Sequence, residues 1–270
     1  MSNCPIMKRL KENYEERQTQ YLLRRIPVIG RLDGITFSSY TAELKDKFSP
    51  EFMEVMDETG IFLAKLMQGC QLIYIQSDEI SVFLHDYKNL QSQAWRNYNL
   101  NKMLSESASE AGGRFCLSSW KIWGDKTPKI ENQKFAKFDS RFNNYPEAEV
   151  NNYFVARQRD CIKNSIQALG QTLYSHNELD RKNMSQVQDM CFEKGYNWNN
   201  LPVSYKRGRC IIKETYIHCY VGDKPVYRSR WVVDNNIPEF SKDKNYVEQY
   251  LAVNYSICGK ILKKLLAGLQ

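Results

Sequence analysis

Hydrophobic residues change their period several times along this chain, and each change marks an element. Between residues 51 and 66, Phe52, Val55, Met56, Thr59, Phe62, Leu63 and Leu66 recur at helical spacing, and Gly69 suits the stop. Upstream, Ile26-Pro27-Val28-Ile29-Gly30-Arg31-Leu32-Asp33-Gly34 reads as a strand, with proline at its tolerated opening position. Residues 74–84 carry an apolar, β-branched run into the polar knot Ser77-Asp78-Glu79, and a second such run leaves it. That pattern predicts a β-hairpin with a charged tip. Ser-Asp-Glu lacks the Asn-Gly or Asp-Gly that supplies positive φ in tight hairpins, so the acidic pair points to chemistry rather than to turn formation. Strand, helix and hairpin in this order make the β-α-β-β start of a ferredoxin-like or polymerase-palm unit.

The remaining segments are less sharply patterned. Residues 7–23 are charged and helix-prone, and read as a solvated surface helix. Residues 95–111, if helical, set Lys102, Ser105 and Ser109 on one face, an arrangement open to a phosphate or simply to solvent. Residues 118–137 hold Gly124, Pro128, two tryptophans and five lysines, and predict a loop or irregular hairpin that could meet RNA or only water. A short strand is expected over residues 138–141, then a second long helix over 147–174 with Pro146 at its start. Arg157, Asp160 and Asn164 share a face of that helix. A small helical insert (176–192), a turn (197–202) and the cationic run Tyr205-Lys206-Arg207-Gly208-Arg209 follow. Three cations around a glycine make a candidate phosphate clamp. Strands over 210–212, 215–221 and 226–233, and a short amphipathic helix over 259–269, close the chain. No repeat or composition break marks a linker.

Composition narrows the class. A chain of 270 residues can bury a core as one large domain or two small ones. The net charge of +7 favours a polyanionic partner without demanding one. No apolar run reaches membrane-span length, and no signal-peptide core follows the basic N-terminus, so export is not expected. The eight cysteines form no C-x-x-C pair and read as reduced, mostly core-filling thiols of a cytoplasmic protein. Two strands that each end in a carboxylate can bring Asp33 and Asp78 side by side at one sheet edge. Divalent cations relieve the repulsion of such a pair and suit in-line displacement at phosphorus. The competing reading is two unrelated solvated turns. Gly34 lets the backbone approach a ligand, and the amides that follow could cradle phosphate.

Taken together, the motifs resemble one family over nearly the whole chain, the tRNA-histidine guanylyltransferase superfamily. The likeness is to its bacterial and phage branch of 3′-to-5′ RNA polymerases. Its words are Arg31-Leu32-Asp33-Gly34-x-x-Phe37, Gln76-Ser77-Asp78-Glu79-Ile80-Ser81 and Trp95-x-x-Tyr98-Asn99-x-x-Lys102-Met103-x-Ser105. They continue with Phe138-Asp139-x-Arg141, Arg157-Gln158-x-Asp160-x-x-x-Asn164-Ser165-Ile166, Gly195-x-Asn197-Trp198-Asn199 and Lys206-Arg207-Gly208. The resemblance implies an α+β fold, with a palm-like catalytic core over about residues 20–170 and a C-terminal extension over 171–270, packed as one catalytic domain. It implies two Mg²⁺ ions on Asp33, Asp78 and the Gly34 carbonyl, with Glu79 as a supporting acid. Nucleotide would lie along Asp33, Gly34, Ile35, Thr36, Phe37 and Ser38 and at Ser77-Asp78. Lys102, Ser105, Lys163 and Asn164 fall at the RNA 5′ end, and Lys206 and Arg207 at tRNA or triphosphate. The partners implied are tRNA, ATP and GTP, and the assembly a homotetramer.

Departures qualify the likeness. Ile162-Lys163-Asn164-Ser165-Ile166-Gln167-Ala168 stands where eukaryotic enzymes carry His-Ile-Asn-Asn-Leu-Tyr-Asn, which favours templated repair of tRNA 5′ ends over strict guanylylation of tRNA-histidine. Ser38 replaces a histidine, and Asp46-Lys47-Phe48-Ser49 replaces Lys-Pro-Phe-Asp, leaving Lys45 or Lys47 as substitutes. The expectation is a metal-dependent nucleotidyltransferase. Its competitors are a eukaryotic-type guanylyltransferase, a nucleotidyl cyclase on the same palm, and a non-catalytic tRNA-binding protein.

Overall fold

A computed structural model gives the chain as one six-stranded antiparallel sheet with helices on both faces. It describes residues 4–42, 44, 49–128 and 134–251; the expected helix over 259–269 and the Asp46–Lys47 substitution lie outside them. In chain order the elements are α1 (Pro5–Leu10), β1 (Val28–Gly34), α2 (Phe37–Tyr40), α3 (Pro50–Leu66), β2 (Cys70–Gln76), β3 (Glu79–Leu84), α4 (Leu100–Trp123) and β4 (Phe138–Asn144). Then come α5 (Glu147–Leu173), α6 (His176–Leu179), α7 (Met184–Glu193), α8 (Val203–Arg207), β5 (Arg209–Val221), β6 (Lys224–Asp234) and α9 (Asn245–Glu248). The strands lie in the order β4-β1-β3-β2-β5-β6. The first four make the expected ferredoxin-like palm, and β5 and β6 extend it past β2.

Alternation along the strands separates two cores. Val28, Leu32, Ile73, Ile75, Ile80 and Val82 pack with α3 and α4 on one face. Ile29, Leu72, Tyr74 and Phe83 pack with α5 and with Phe240 on the other. The far half of α5 forms a third cluster with α6 and α7. Ser49 caps α3, its side chain accepting from the Phe52 amide, with Pro50 in the first turn. Among the described residues no helix is long and apolar enough to cross a membrane.

Three segments differ from the sequence pattern. Residues 7–23 are not one helix: α1 passes into a π turn (Lys11–Glu15) and a 3₁₀ turn (Glu16–Gln18). The helix expected over 95–111 begins only at Leu100, because Arg96, Asn97 and Tyr98 all take left-handed backbone. It then runs on to Trp123 through the segment expected to be a loop. Phe115, Cys116, Ser119 and Trp123 fall on one helical face and are buried. The serines that suggested a loop have partners: Ser118 Oγ donates to Glu58 at 2.7 Å, and Ser119 Oγ meets Tyr40 Oη at 2.9 Å.

Candidate active site

The β2–β3 connection is a two-residue turn, Ser77-Asp78, since Gln76 pairs directly with Glu79. Ser77 supplies the positive φ, 46°, that no glycine is present to supply. Left-handed backbone in a residue with a side chain is strained, and such strain concentrates at functional sites. On the neighbouring strand Asp33 pairs with Glu79 on one side and with Asp139 on the other. Pairing and strand alternation therefore carry Asp139, Asp33, Glu79 and Gln76 across four strands at one level, all toward the α5 face.

The turn folds Asp78 onto the end of β1. The Gly34 amide donates to the Asp78 carbonyl at 3.2 Å, and a Cβ on Gly34 would stand 2.7 Å from Asp78 Oδ2. Only glycine leaves room for that carboxylate beside the backbone next to Asp33. Burial raises the Asp78 pKa, and the neighbouring Asp33 charge raises it further. This is the environment that a bound cation relieves. Two carboxylates of differing burial, the Gly34 backbone carbonyl between them in sequence and a missing Cβ fit a hard divalent ion with oxygen ligands. Among the described residues no group of three or more acidic, histidine or cysteine side chains is arranged to hold a metal.

Glu79 is turned away from solvent, at 3 % exposure. Arg157 of α5 clasps it with two hydrogen bonds, Nε to Oε1 at 2.7 Å and Nη2 to Oε2, and holds Asp160 at 2.7 Å as well. Ser81 Oγ donates to the same Glu79 carboxylate at 3.3 Å and meets Tyr153 Oη at 3.0 Å. Arg31 reaches both Asp33 (3.8 Å) and Glu79 (3.9 Å). The acidic level is therefore backed by arginines, and α5 is bolted to the hairpin through Glu79. The sequence reading gave Arg31, Asp139 and Gln76 no role although each stands in a motif. The available signal was parity, since residues two apart on a strand share a face.

A cleft of about 110 Å³ opens beside the turn, between the start of α3, Gln76-Ser77, the middle of α5, α8 and Arg209. Asn164 lines it, and Lys163 is exposed one residue before. Gly34, Ile35, Thr36, Phe37 and Ser38 leave β1 past the Asp78 side, with Ile35 exposed and Thr36 left-handed at φ 52°. Lys102 and Ser105 stand apart, lining a groove with Arg96, Asn97 and Glu106 on the α4 face of the sheet. Lys206 Nζ donates to the Asn199 carbonyl at 2.6 Å, Arg207 pairs with Glu239 at 3.2 Å and Arg209 with Asp57, so all three cations of the candidate clamp already have protein partners.

Residues 7–146 match the family described as tRNAHis guanylyltransferase. A bacterial tRNA(His) guanylyltransferase-like protein solved in complex with ATP is 40 % identical, with a TM-score of 0.81 over 92 % of this chain and 100 % of that one. A second bacterial structure, in complex with GTP, is 38 % identical, with a TM-score of 0.71 over 92 % and 99 % of the two chains. A probable tRNA(His) guanylyltransferase of Dictyostelium discoideum is 25 % identical over 212 residues, 73 % of this chain and 79 % of its own.

Proposed function

Since the chain belongs to the tRNAHis guanylyltransferase family and is a nucleotidyltransferase acting on tRNA, we propose that it adds nucleotides to tRNA 5′ ends in the 3′-to-5′ direction, as templated repair. The observation that carries this reading is the Asp33–Gly34–Asp78 corner, where a missing Cβ admits a half-buried carboxylate beside a second one. Asp33, Asp78 and the Gly34 carbonyl are the groups that would hold Mg²⁺. The chemistry that two such ions would supply there is a lowered pKa for an attacking hydroxyl and neutralised charge on a leaving group. The protein's own work is placement. Arg157 and Arg31 fix Glu79 and so the hairpin. The strained Ser77 turn aims Asp78, and residues 34–38 with Ser77 border the nucleotide. The 5′-phosphate activated by ATP or GTP then meets the 3′-hydroxyl of the incoming nucleotide in a fixed orientation. Lys163 and Asn164 are suited to the RNA 5′ end. Lys102 and Ser105, in their separate groove, are suited to a more distant phosphate of the same tRNA, or to one reached from another copy within a homotetramer.

The test is a 5′-monophosphorylated tRNA lacking its first nucleotide, incubated with Mg²⁺, ATP and each nucleoside triphosphate in turn. Extension only by the nucleotide that pairs with the opposite strand is the expected result. Addition of G regardless of pairing would point to the eukaryotic-type reaction. Cyclic nucleotide formed without RNA, or tRNA binding with no product, would favour the cyclase or the binding protein. Asp33→Ala and Asp78→Ala should each abolish addition, with circular dichroism unchanged. Retained activity in either variant removes the metal assignment.

A further inference from the structure

Of the three histidines, His85 alone is buried, at 2 % exposure. It follows β3, where its amide donates to the Gly69 carbonyl at 3.0 Å and its own carbonyl leaves no room for a Cβ on Gly69. The ring is stacked on Tyr87, centroids 4.2 Å apart, with Phe83 edge-on at 5.8 Å. Its Nε2 lies 3.1 Å from the Tyr250 carbonyl, 165 residues further along the chain. A carbonyl only accepts, so Nε2 carries the proton and Nδ1 is the bare nitrogen of a neutral imidazole. Nδ1 is enclosed and has no hydrogen-bond partner among the described residues. Protonation would place a new N–H and a charge there, and the charged groups around the ring do not serve it. Asp86 is fully buried, and its two carboxylate oxygens are taken by Arg24 Nε and, at 2.7 Å, by the Arg25 amide. Lys88 repels a charged ring, and Glu147 of α5 bears on Tyr87. Burial holds the imidazole below the ordinary histidine range, against the pull of the Tyr250 carbonyl and Asp86, and Lys88 adds to the lowering. The ring fastens the segment that follows β6. Val247 is fully buried in the α5-side core, Tyr250 and Leu251 pack on the same cluster, and Tyr246 Oη donates to Asp234 at 2.6 Å.

We propose that His85 is an acid-sensitive latch on residues 245–251: neutral, it fastens the Tyr250 carbonyl to the end of β3, and protonated, it lets that segment lift from the sheet. In the lifted state the imidazole stands in water and takes up a proton at about pH 6.5, whereas in the closed state it resists doing so. Closure is therefore most favoured above about pH 6.5 and loses ground as the pH falls below it, by up to about tenfold per unit. The test is amide hydrogen exchange on the intact chain at about pH 7.5 and about pH 5.5, with rates corrected for the intrinsic effect of pH. Opening of residues 245–251 should rise about tenfold in acid, while the amides of β2 and β3 keep their protection. His85→Gln keeps a donor for the Tyr250 carbonyl without a titrating ring, so its opening should change by less than about twofold over the same range. If that variant fails to fold, the titration of the His85 imidazole in the natural chain, followed by NMR, decides. A midpoint below about 6.5 is the expected result, and one at or above it overturns the latch. Acid opening equal in the natural chain and in His85→Gln, no opening in either, or loss of protection across the whole sheet also overturns it.

Discussion

At the residue scale the site is a balance between repulsion and constraint. Asp78 is held partly out of water and beside Asp33, so its pKa is raised, first by burial and then by that charge. A carboxyl whose folded pKa lies above its unfolded one contributes stability that is present in acid and lost as pH rises through the folded value. Asp78→Asn should therefore have a higher melting temperature than the natural chain in EDTA at neutral pH. The gap should close as the pH falls below the ordinary carboxylate range, and narrow when a divalent cation is added. Identical melting curves at neutral pH would show that the carboxylate carries no such burden. Glu79, on the same acidic level, is paired within the fold with Arg157 and Arg31. Residue pattern alone showed both acids side by side, and only the family resemblance set Asp78 apart from a supporting Glu79, because the arginine that claims Glu79 arrives from a helix 78 residues away.

At the scale of elements, the hairpin owes its function to its shortness. Gln76 and Glu79 pair, leaving two residues to reverse the chain, and Ser77 takes the left-handed backbone. Ser77→Gly should relieve that strain and stabilise the fold by about 1 kcal/mol in urea denaturation, while lowering the rate of nucleotide addition as the turn loosens around Asp78. A variant that gained stability at full activity would mean that the strain has no part in aiming the carboxylate. The hairpin and α3 were legible because local periodicity and tertiary burial agree there: Val55, Met56, Thr59 and Leu63 are both helically spaced and buried. The extension of α4 to Trp123 was not legible. Its polar face is made of serines whose partners, Glu58 and Tyr40, lie about 60 and 79 residues upstream. The left-handed turn at Arg96, Asn97 and Tyr98 was equally hidden, since none of the three favours that backbone as glycine does. Arg96 is committed there to Glu106, and Asn97 accepts from Arg24 at 3.0 Å, so distant contacts hold what local preference opposes.

At the scale of the whole molecule, the sheet changes character at β5. Arg209, Cys210 and Ile211 pair with β2 and are buried, but beyond them β5 pairs only with β6 and the ribbon carries exposed Ile217, Tyr220 and Tyr227. A two-stranded ribbon contributes little to a core. Replacing residues 215–229 by a two-residue Asn-Gly turn should change unfolding free energy by no more than about 1 kcal/mol, measured in urea. A larger loss would mean that the ribbon supports the sheet beneath it. The proposed catalytic corner, in contrast, lies toward the other end of the strand order, where β1, β3 and β4 meet at the carboxylates.

The union of β2 with β5 also sets an order of assembly. Tyr74 Oη donates to the Arg207 carbonyl at 2.7 Å across 133 residues of sequence, and Gly208 passes so close to Ile75 that a Cβ would lie 2.5 Å from its carbonyl. The β1–β4 pairing, Val28 with Asn144, closes a loop nearly as long, so the difference lies in synthesis order: β1 to β4 all precede β5 in the chain. During synthesis the four-stranded palm can therefore gather before β5 has left the ribosome, with the β2 edge open until it does. The nascent chain passes through an interval in which the hairpin proposed to carry the chemistry has an unpaired flank, and the arrival of residues 209–211 closes it.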